Sequence, residues 1–328
     1  MTAATPHELK ADLPPARCGS FPYWHELVLA ALLVAILVVA GQLEPRFVRP
    51  AVQVGLAGDA WALALLALPM TLIIITAGID LSVGATTALC AVILGLSVEA
   101  GIPVWLGVLL ALLTGCAGGA LNGTLVAWLR VHPLIVTLAT LAAYRGVALA
   151  LTRGRTIQAF PPAFARVAGD TWLGVPFPMW LFVAAALATA LFLARTPYGR
   201  FLYAMGHNET AARYSAVPVR QIKLALYTLT GLTAGVSAVL LASRYEQAKA
   251  DFATALELEV ITAVVLGGVS IFGGRGNVLG VVLGIALVHE SQKFVTWHWR
   301  KSELNALVVG GLLIGAVLVN SLVTSRKR

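Results

Sequence analysis

Few residues of this chain could do chemistry, and they are scattered. The densest group lies in residues 195–223, where Arg195, Arg200, Arg213, Arg220 and Lys223 stand against the single acid Glu209. Asp80 sits in Gly78-Ile79-Asp80-Leu81-Ser82-Val83-Gly84, Arg145 lies within an apolar run, and Glu257 and Glu259 alternate with leucine. His289-Glu290 closes another apolar run. Catalysis needs such groups at motif spacing, yet the chain has no His-Glu-x-x-His, no Gly-x-Ser-x-Gly and no Walker phosphate loop. Nor do the acids and His289 form the chain of ionisable groups that a proton relay needs. Cys18, Cys90 and Cys116 give neither a disulfide framework nor metal-ligand spacing, so no cofactor or metal is implied. What remains is recognition, with a basic face for docking and isolated polar groups for hydrogen bonding. Any uphill transport would draw its energy from another subunit.

The elements that must hold these groups are set by composition. With 59% hydrophobic and 12% charged residues and a mean hydropathy of +0.86, the chain is no ordinary soluble domain, which carries roughly 25% charged residues. The net charge of +8 suits lipid headgroups and cytoplasmic loops, and is a weak pointer to nucleic acid. The run 27–41 imitates the apolar core of a signal peptide, but a polar tail precedes it and nothing soluble follows, so it reads as an uncleaved helix.

Apolar runs of the length that crosses a core of ~30 Å recur. They predict an all-α polytopic membrane protein of about ten segments, at 26–43, 60–77, 82–98, 104–129, 134–151, 178–194, 224–242, 256–266, 278–289 and 305–322. Segments eight and nine are short and broken by glycine. Residues 1–24 read as an N-terminal tail, 25–322 as the membrane domain and 323–328 as a basic tail. An even count places both termini on one side. If that side is the cytoplasm, twelve Lys and Arg lie inside and ten outside, with five of the twelve in 195–223 and three at the C-terminus.

Several local expectations follow. Asp59, at the start of segment two, reads as an interfacial acid. Asp80 is placed to accept from the amides of Ser82 or Val83 and so start the next helix. Segment four carries Gly115, Gly118, Gly119, Ala120 and Gly123, a spacing that lets helix backbones approach closely in lipid. The interruptions at 78–84 and 267–276 have two readings: discontinuous helices whose open backbone lines a solute route, or tight structural turns. Arg145 also has two readings, as a snorkelling anchor about 9 Å from its helix end or as an inward group that hydrogen-bonds a polyhydroxylated solute. Glu257 and Glu259 read as interfacial acids, and Trp297-His298-Trp299 as an aromatic belt. Within 195–223, Asn208 is an N-cap candidate, Glu209 an acid in the first turn and Ala211-Ala212 a helical pair, which predicts a short helix. It is either a docking surface or a solvated connector.

From about segment two to segment ten the sequence resembles the ribose-type permease subunits of bacterial ATP-binding cassette importers for monosaccharides. The resemblance is carried by 78–84, by Leu121-Asn122-Gly123 with Pro133-Leu134-Ile135-Val136-Thr137-Leu138, and by Tyr144-Arg145-Gly146. It continues in Tyr198-Gly199-Arg200, Gly206-His207-Asn208-Glu209-Thr210-Ala211-Ala212, Val265-Leu266-Gly267-Gly268 and Gly273-Gly274-Arg275-Gly276. Ser243-Arg244-Tyr245-Glu246 and the stretch 256–263 resemble the rhamnose and autoinducer-2 branches.

The resemblance implies an inner-membrane permease without an ATPase site of its own. It would pair with a second permease, identical or related, dock two ATPase subunits and receive a sugar from a periplasmic solute-binding protein. It places a cytoplasmic coupling helix at 206–214, with Gly206, Asn208, Glu209, Ala211, Ala212 and Arg213 at the ATPase contact. Asp80, Ser82, Asn122, Tyr144, Arg145 and Ser270 are the candidates for the solute route. Departures from the family pattern are Ala77 before Gly78, His207 between Gly206 and Asn208, and Ala216 in place of a frequent glycine. They touch fine geometry and remove no charged contact. The other function class is an ion-coupled carrier or facilitator, which would need more intramembrane ionisable groups than the chain offers.

Overall fold

The helix Pro50–Ile75 has no polar face from Trp61 onward, and such a helix is stable only when surrounded. Every residue from Ala60 to Ile75 is buried. The computed structural model describes residues 24–325, with side chains through 318. The tails expected at 1–24 and 323–328 fall almost wholly outside that range, as does Cys18.

In chain order the helices are α1 (Trp24–Leu43), α2 (Pro50–Ile75), α3 (Val83–Glu99), α4 (Val104–Ala127), α5 (Pro133–Thr152) and the single turn α6 (Arg166–Gly169). A two-strand hairpin, β1 (Thr171–Trp172) with β2 (Val175–Pro176), precedes α7 (Phe177–Arg195). Then come α8 (Pro197–His207), α9 (Glu209–Tyr214), α10 (Val219–Tyr245), α11 (Leu256–Leu266), α12 (Val278–Trp299) and α13 (Leu304–Ser325). Seven helices among the described residues, α1, α2, α4, α5, α7, α10 and α12, are long and apolar enough to cross a membrane. Val83–Glu99 and Leu304–Leu318 are shorter apolar stretches, and α11 has 11 residues.

α2 is packed by α7, α10, α11 and α12. α4 and α10 run antiparallel at very close range. A methyl group on Gly115 would strike the Gly231 carbonyl, one on Gly231 would strike the Gly115 carbonyl, and Gly119 and Gly123 meet the backbone at Tyr227 and Leu224. The small-residue stripe of segment four is therefore the seam with α10, while Gly118 faces the Tyr144 ring on α5. Only about a fifth of the most apolar 18-residue stretch of each of α1, α4 and α7 is buried, which leaves their outer faces to lipid or to another chain.

Three sequence expectations are corrected. Segment nine is not short: α12 runs 22 residues to Trp299. Its polar second half stays helical because His289 reaches the Leu56 carbonyl at 2.9 Å and Lys293 reaches Asp59 at 2.8 Å. α2 begins ten residues earlier than expected, so Asp59 lies inside a helix and pairs with Arg244 and Lys293 rather than resting at a helix end. The short helix expected after Asn208 forms as α9, but the coupling helix that the resemblance placed at 206–214 does not start at Gly206, because Gly206 and His207 end α8 and the extended Asn208 (φ −160°, ψ 101°) separates the two.

Two connectors, 76–82 between α2 and α3 and 267–277 between α11 and α12, reach the same place. The Gly274 amide donates to the Ile75 carbonyl at 2.8 Å, and a side chain on Gly206 would strike both groups. Gly273 and Gly274 have φ of +83° and +73°, a left-handed backbone that side-chain-bearing residues avoid. Asp59 and Ile75 are sixteen residues apart on α2, about 24 Å by helical rise, so the ion pairs of Asp59 mark the opposite end of the bundle.

Candidate functional site

Asp80, Ser82 and Asn122 form one buried relay. Asp80 Oδ1 accepts from the Ser82 amide at 2.9 Å and from the Ser82 hydroxyl at 2.6 Å. Asn122 Nδ2 donates to that same hydroxyl oxygen at 2.8 Å. The turn that Asp80 was expected to make is present, and it ends the connector one residue before α3. Three helices clamp the connector. Besides Asn122 on α4, the Tyr227 hydroxyl of α10 donates to the Ile79 carbonyl at 3.3 Å, and the Thr137 hydroxyl of α5 lies 3.5 Å from it. All three relay residues are buried, and among the described residues Asn122 Oδ1 has no hydrogen-bond partner.

Tyr144 and Arg145 are adjacent on α5 but serve different neighbours. The Tyr144 hydroxyl donates to the Gly118 carbonyl at 3.0 Å. Arg145 Nη1 donates to the Ala250 and Phe252 carbonyls at 2.6 and 2.8 Å. Those carbonyls belong to the link between α10 and α11, which also pairs Ala248 with Ile157. The link turns inward until the Ala253 carbonyl and the Glu257 carboxylate lie against Gly84, in the first turn of α3. Glu257, expected at an interface, thus faces the start of another helix. Ser270 stands apart from this group. It is buried in the 267–277 connector, where its amide donates to the Arg275 carbonyl and its carbonyl accepts from Gly273.

The polar stretch builds a separate site. Thr196 caps α8 through the Gly199 amide, and Asn208 caps α9 through the Ala211 amide at 2.9 Å. Gly206 faces inward against the two connectors, and Ala212 is buried. Asn208, Ala211 and Arg213 are exposed. Glu209 joins the segment to α10, accepting from Lys223 Nζ at 2.6 Å and from Arg213 Nη2 at 2.9 Å. Partial burial by itself would raise the Glu209 carboxyl, but the hydrogen bonds and charges of Lys223 and Arg213 hold it below the usual glutamate value. Next to it, a cleft lined by Arg130, Arg213 and Arg220 opens outward.

Two residues here escaped sequence reasoning. Lys223 looked like the edge of a basic run, but it is the charge that ties Glu209 to α10. Tyr214 is 89% exposed at the tip of α9, and its aromatic type beside a basic run was the available signal.

Comparison with known proteins supplies the remaining observation. Residues 53–317 match the family described as branched-chain amino acid transport system / permease component. The autoinducer 2 import system permease protein LsrD of Photorhabdus laumondii is 36% identical over 306 residues, 92% of each chain. Its namesake in Yersinia enterocolitica is 37% identical over the same share of both chains. The one from Escherichia coli O9:H4 is 37% identical over 93% of this chain and 94% of its own.

Proposed function

The chain belongs to this permease-component family, and from that membership we propose that it carries a small polyhydroxylated solute, of the autoinducer 2 or monosaccharide kind, into the cell. It is a multi-pass protein of the bacterial inner membrane and the permease subunit of an ATP-binding cassette importer. In this reading α3, α11 and α13 complete ten membrane segments, both termini face the cytoplasm, and α2–α3 and α11–α12 act as discontinuous pairs. A second permease, identical or related, pairs with it, two ATPase subunits dock on α8 and α9, and a periplasmic binding protein delivers the solute.

One observation carries the mechanism: the folded basic stretch is wedged against both connectors. Gly206 packs on Ile75 and Gly274, Tyr203 donates to the Gly276 carbonyl at 2.8 Å, and Glu209 grips Lys223. A push on α8 and α9 therefore reaches the ends of α2 and α12 through Gly206 and Tyr203 and the start of α10 through Glu209. When the ATPase pair closes, α8 and α9 move as one body and tilt those helices, so that access alternates between the two faces of the membrane. Asn208, Glu209, Ala211 and Arg213 meet the ATPase, with Gly206 and Ala212 seating the element from beneath. Asp80, Ser82 and Asn122 hold the geometry of the route at the α2–α3 connector, Tyr144 holds α5 to α4, Arg145 holds the link before α11, and Ser270 belongs to the inner gate.

Uptake into proteoliposomes holding the permease, its ATPase and its binding protein tests this. Accumulation should require ATP and persist when ionophores collapse the ion gradients. Uptake that follows the gradient without ATP would overturn the reading.

A further inference from the structure

At the end of the bundle away from α8 and α9, a cavity of about 310 Å³ opens between α2, α10, α11, α12 and α13. Asp59, Glu259, His289, Gln292, Lys293 and Asn305 give it polar walls, and leucines such as Leu63 and Leu256 give it apolar ones. This is the size and the mixed lining of a small-molecule site.

Its polar groups hold one another in place. Lys293 Nζ sits 2.8 Å from Asp59 Oδ2, and Arg244 stands 3.5 Å from the other oxygen. His289 is fixed on the Leu56 carbonyl, and Thr296 donates to Asn305 Oδ1 at 3.0 Å, while Gln292 and Glu259 add an amide and a carboxylate to the same wall. Each interaction leaves capacity over. Asn305 is engaged through its oxygen and keeps its amide protons, Lys293 keeps two of its three, and the carboxylates keep lone pairs. Donors and acceptors are therefore presented together, pre-oriented, on a surface that also has apolar walls.

The charge balance narrows the ligand. Lys293 and Arg244 both bridge Asp59, and Glu259 lies on the same wall as Lys293, so two carboxylates stand with two cations and the site offers no net field that would select an anion or a cation. A hydroxyl group both donates and accepts and carries no charge, and it fits every one of these partners. Ala253, which also lines the cavity, has its carbonyl against Gly84 at the start of α3. The site thus adjoins the connector that holds Asp80.

We propose that this cavity is the subunit's own binding site for a neutral molecule bearing several hydroxyl groups. The proposal rests on the importer reading and adds where in the chain the solute is held.

The test uses the whole importer in proteoliposomes with Thr296→Cys, a cavity-wall residue, and a membrane-impermeant maleimide. D-ribose, L-rhamnose and autoinducer 2 are the probes, and protection from labelling is read whether or not uptake is seen. One of them should slow labelling, and adding Gln292→Leu, which removes a polar group from the wall, should raise the protecting concentration about tenfold, the loss of one hydrogen bond to the solute. Labelling that no probe slows, a Thr296→Cys that never reacts, or a protecting concentration unchanged by Gln292→Leu would each overturn the site. Protection without any ATP-dependent uptake would support the site and overturn the importer reading. Uptake of a probe that gives no protection would do the reverse.

Discussion

Gly206 lies so close to Ile75 that a methyl group on its α-carbon would overlap the Ile75 carbonyl oxygen. That carbonyl already accepts from the Gly274 amide, so neither neighbour can give way without breaking a connector. Overpacking a tight contact costs about 1–3 kcal/mol, and here the strain falls on a moving joint. Gly206→Val should leave the protein inserted in the membrane and abolish most ATP-dependent uptake. Near-normal uptake would show that the wedge does not transmit motion.

Glu209→Arg reverses the charge that binds Lys223 and Arg213. The prediction is a folded complex that still hydrolyses ATP but no longer couples hydrolysis to uptake, measured as the ratio of solute moved to ATP consumed. Wild-type coupling would count against the docking role of α9. The same carboxyl sets a pH dependence. Its folded pKa is depressed, so its stabilisation of α9 is fully present above the unfolded value near 4.5 and is lost as pH falls through the lower folded value. Coupling should therefore be insensitive to this group at neutral pH, and Glu209→Gln should remove whatever acid dependence it contributes.

Arg145 supplies two hydrogen bonds to the link before α11. Arg145→Met would leave the Ala250 and Phe252 carbonyls without that donor, at about 1–3 kcal/mol for each group that finds no substitute. The thermal midpoint of the purified permease should drop, with Arg145→Lys recovering part of the loss because an ammonium can also donate to both. If Arg145→Lys keeps stability but loses solute affinity, the side chain binds solute as well as anchoring the link.

Gly115→Val and Gly231→Val each push α4 from α10, and each should destabilise by about 1–3 kcal/mol. Because both act at one crossing, the double variant should cost clearly less than the two singles together. Additive losses would mean that the seam is looser than the structure places it.

Orientation is tested by reporters at Gly206 and Ala163. The expectation is a cytoplasmic signal from the first and a periplasmic one from the second. The reverse pattern would overturn the placement of α8 and α9 on the ATPase side.

Local chemistry was legible in the residues themselves. Glycines four apart in segment four announced the α4–α10 seam, Asp80 two residues before Ser82 announced the turn into α3, and Asn208 announced the cap of α9. What escaped was set by distant partners. Nothing near His289 says that it will find a carbonyl on α2, so the polar half of α12 looked like a loop. Asp59 looked like a helix end because its two cations lie 185 and 234 residues away in sequence. The Arg145 partners sit in a link with no regular structure, which carries no periodicity to read. Within the candidate site, the relay of Asp80, Ser82 and Asn122 could be listed from motifs, but their mutual contact required the fold.

α1 is attached to the body of the protein mainly through α12. His25 lies 3.0 Å from the Leu266 carbonyl, and Glu26, buried at the helix start, accepts from Asn277 at 2.5 Å across 251 residues of sequence. The acid at the start of α1 is thus partnered by a residue from the far end of the chain, at the N-cap of α12. A chain cut short before α12 would leave the Glu26 carboxylate without that donor, so a change near the C-terminal end of the bundle reaches back to the seating of α1.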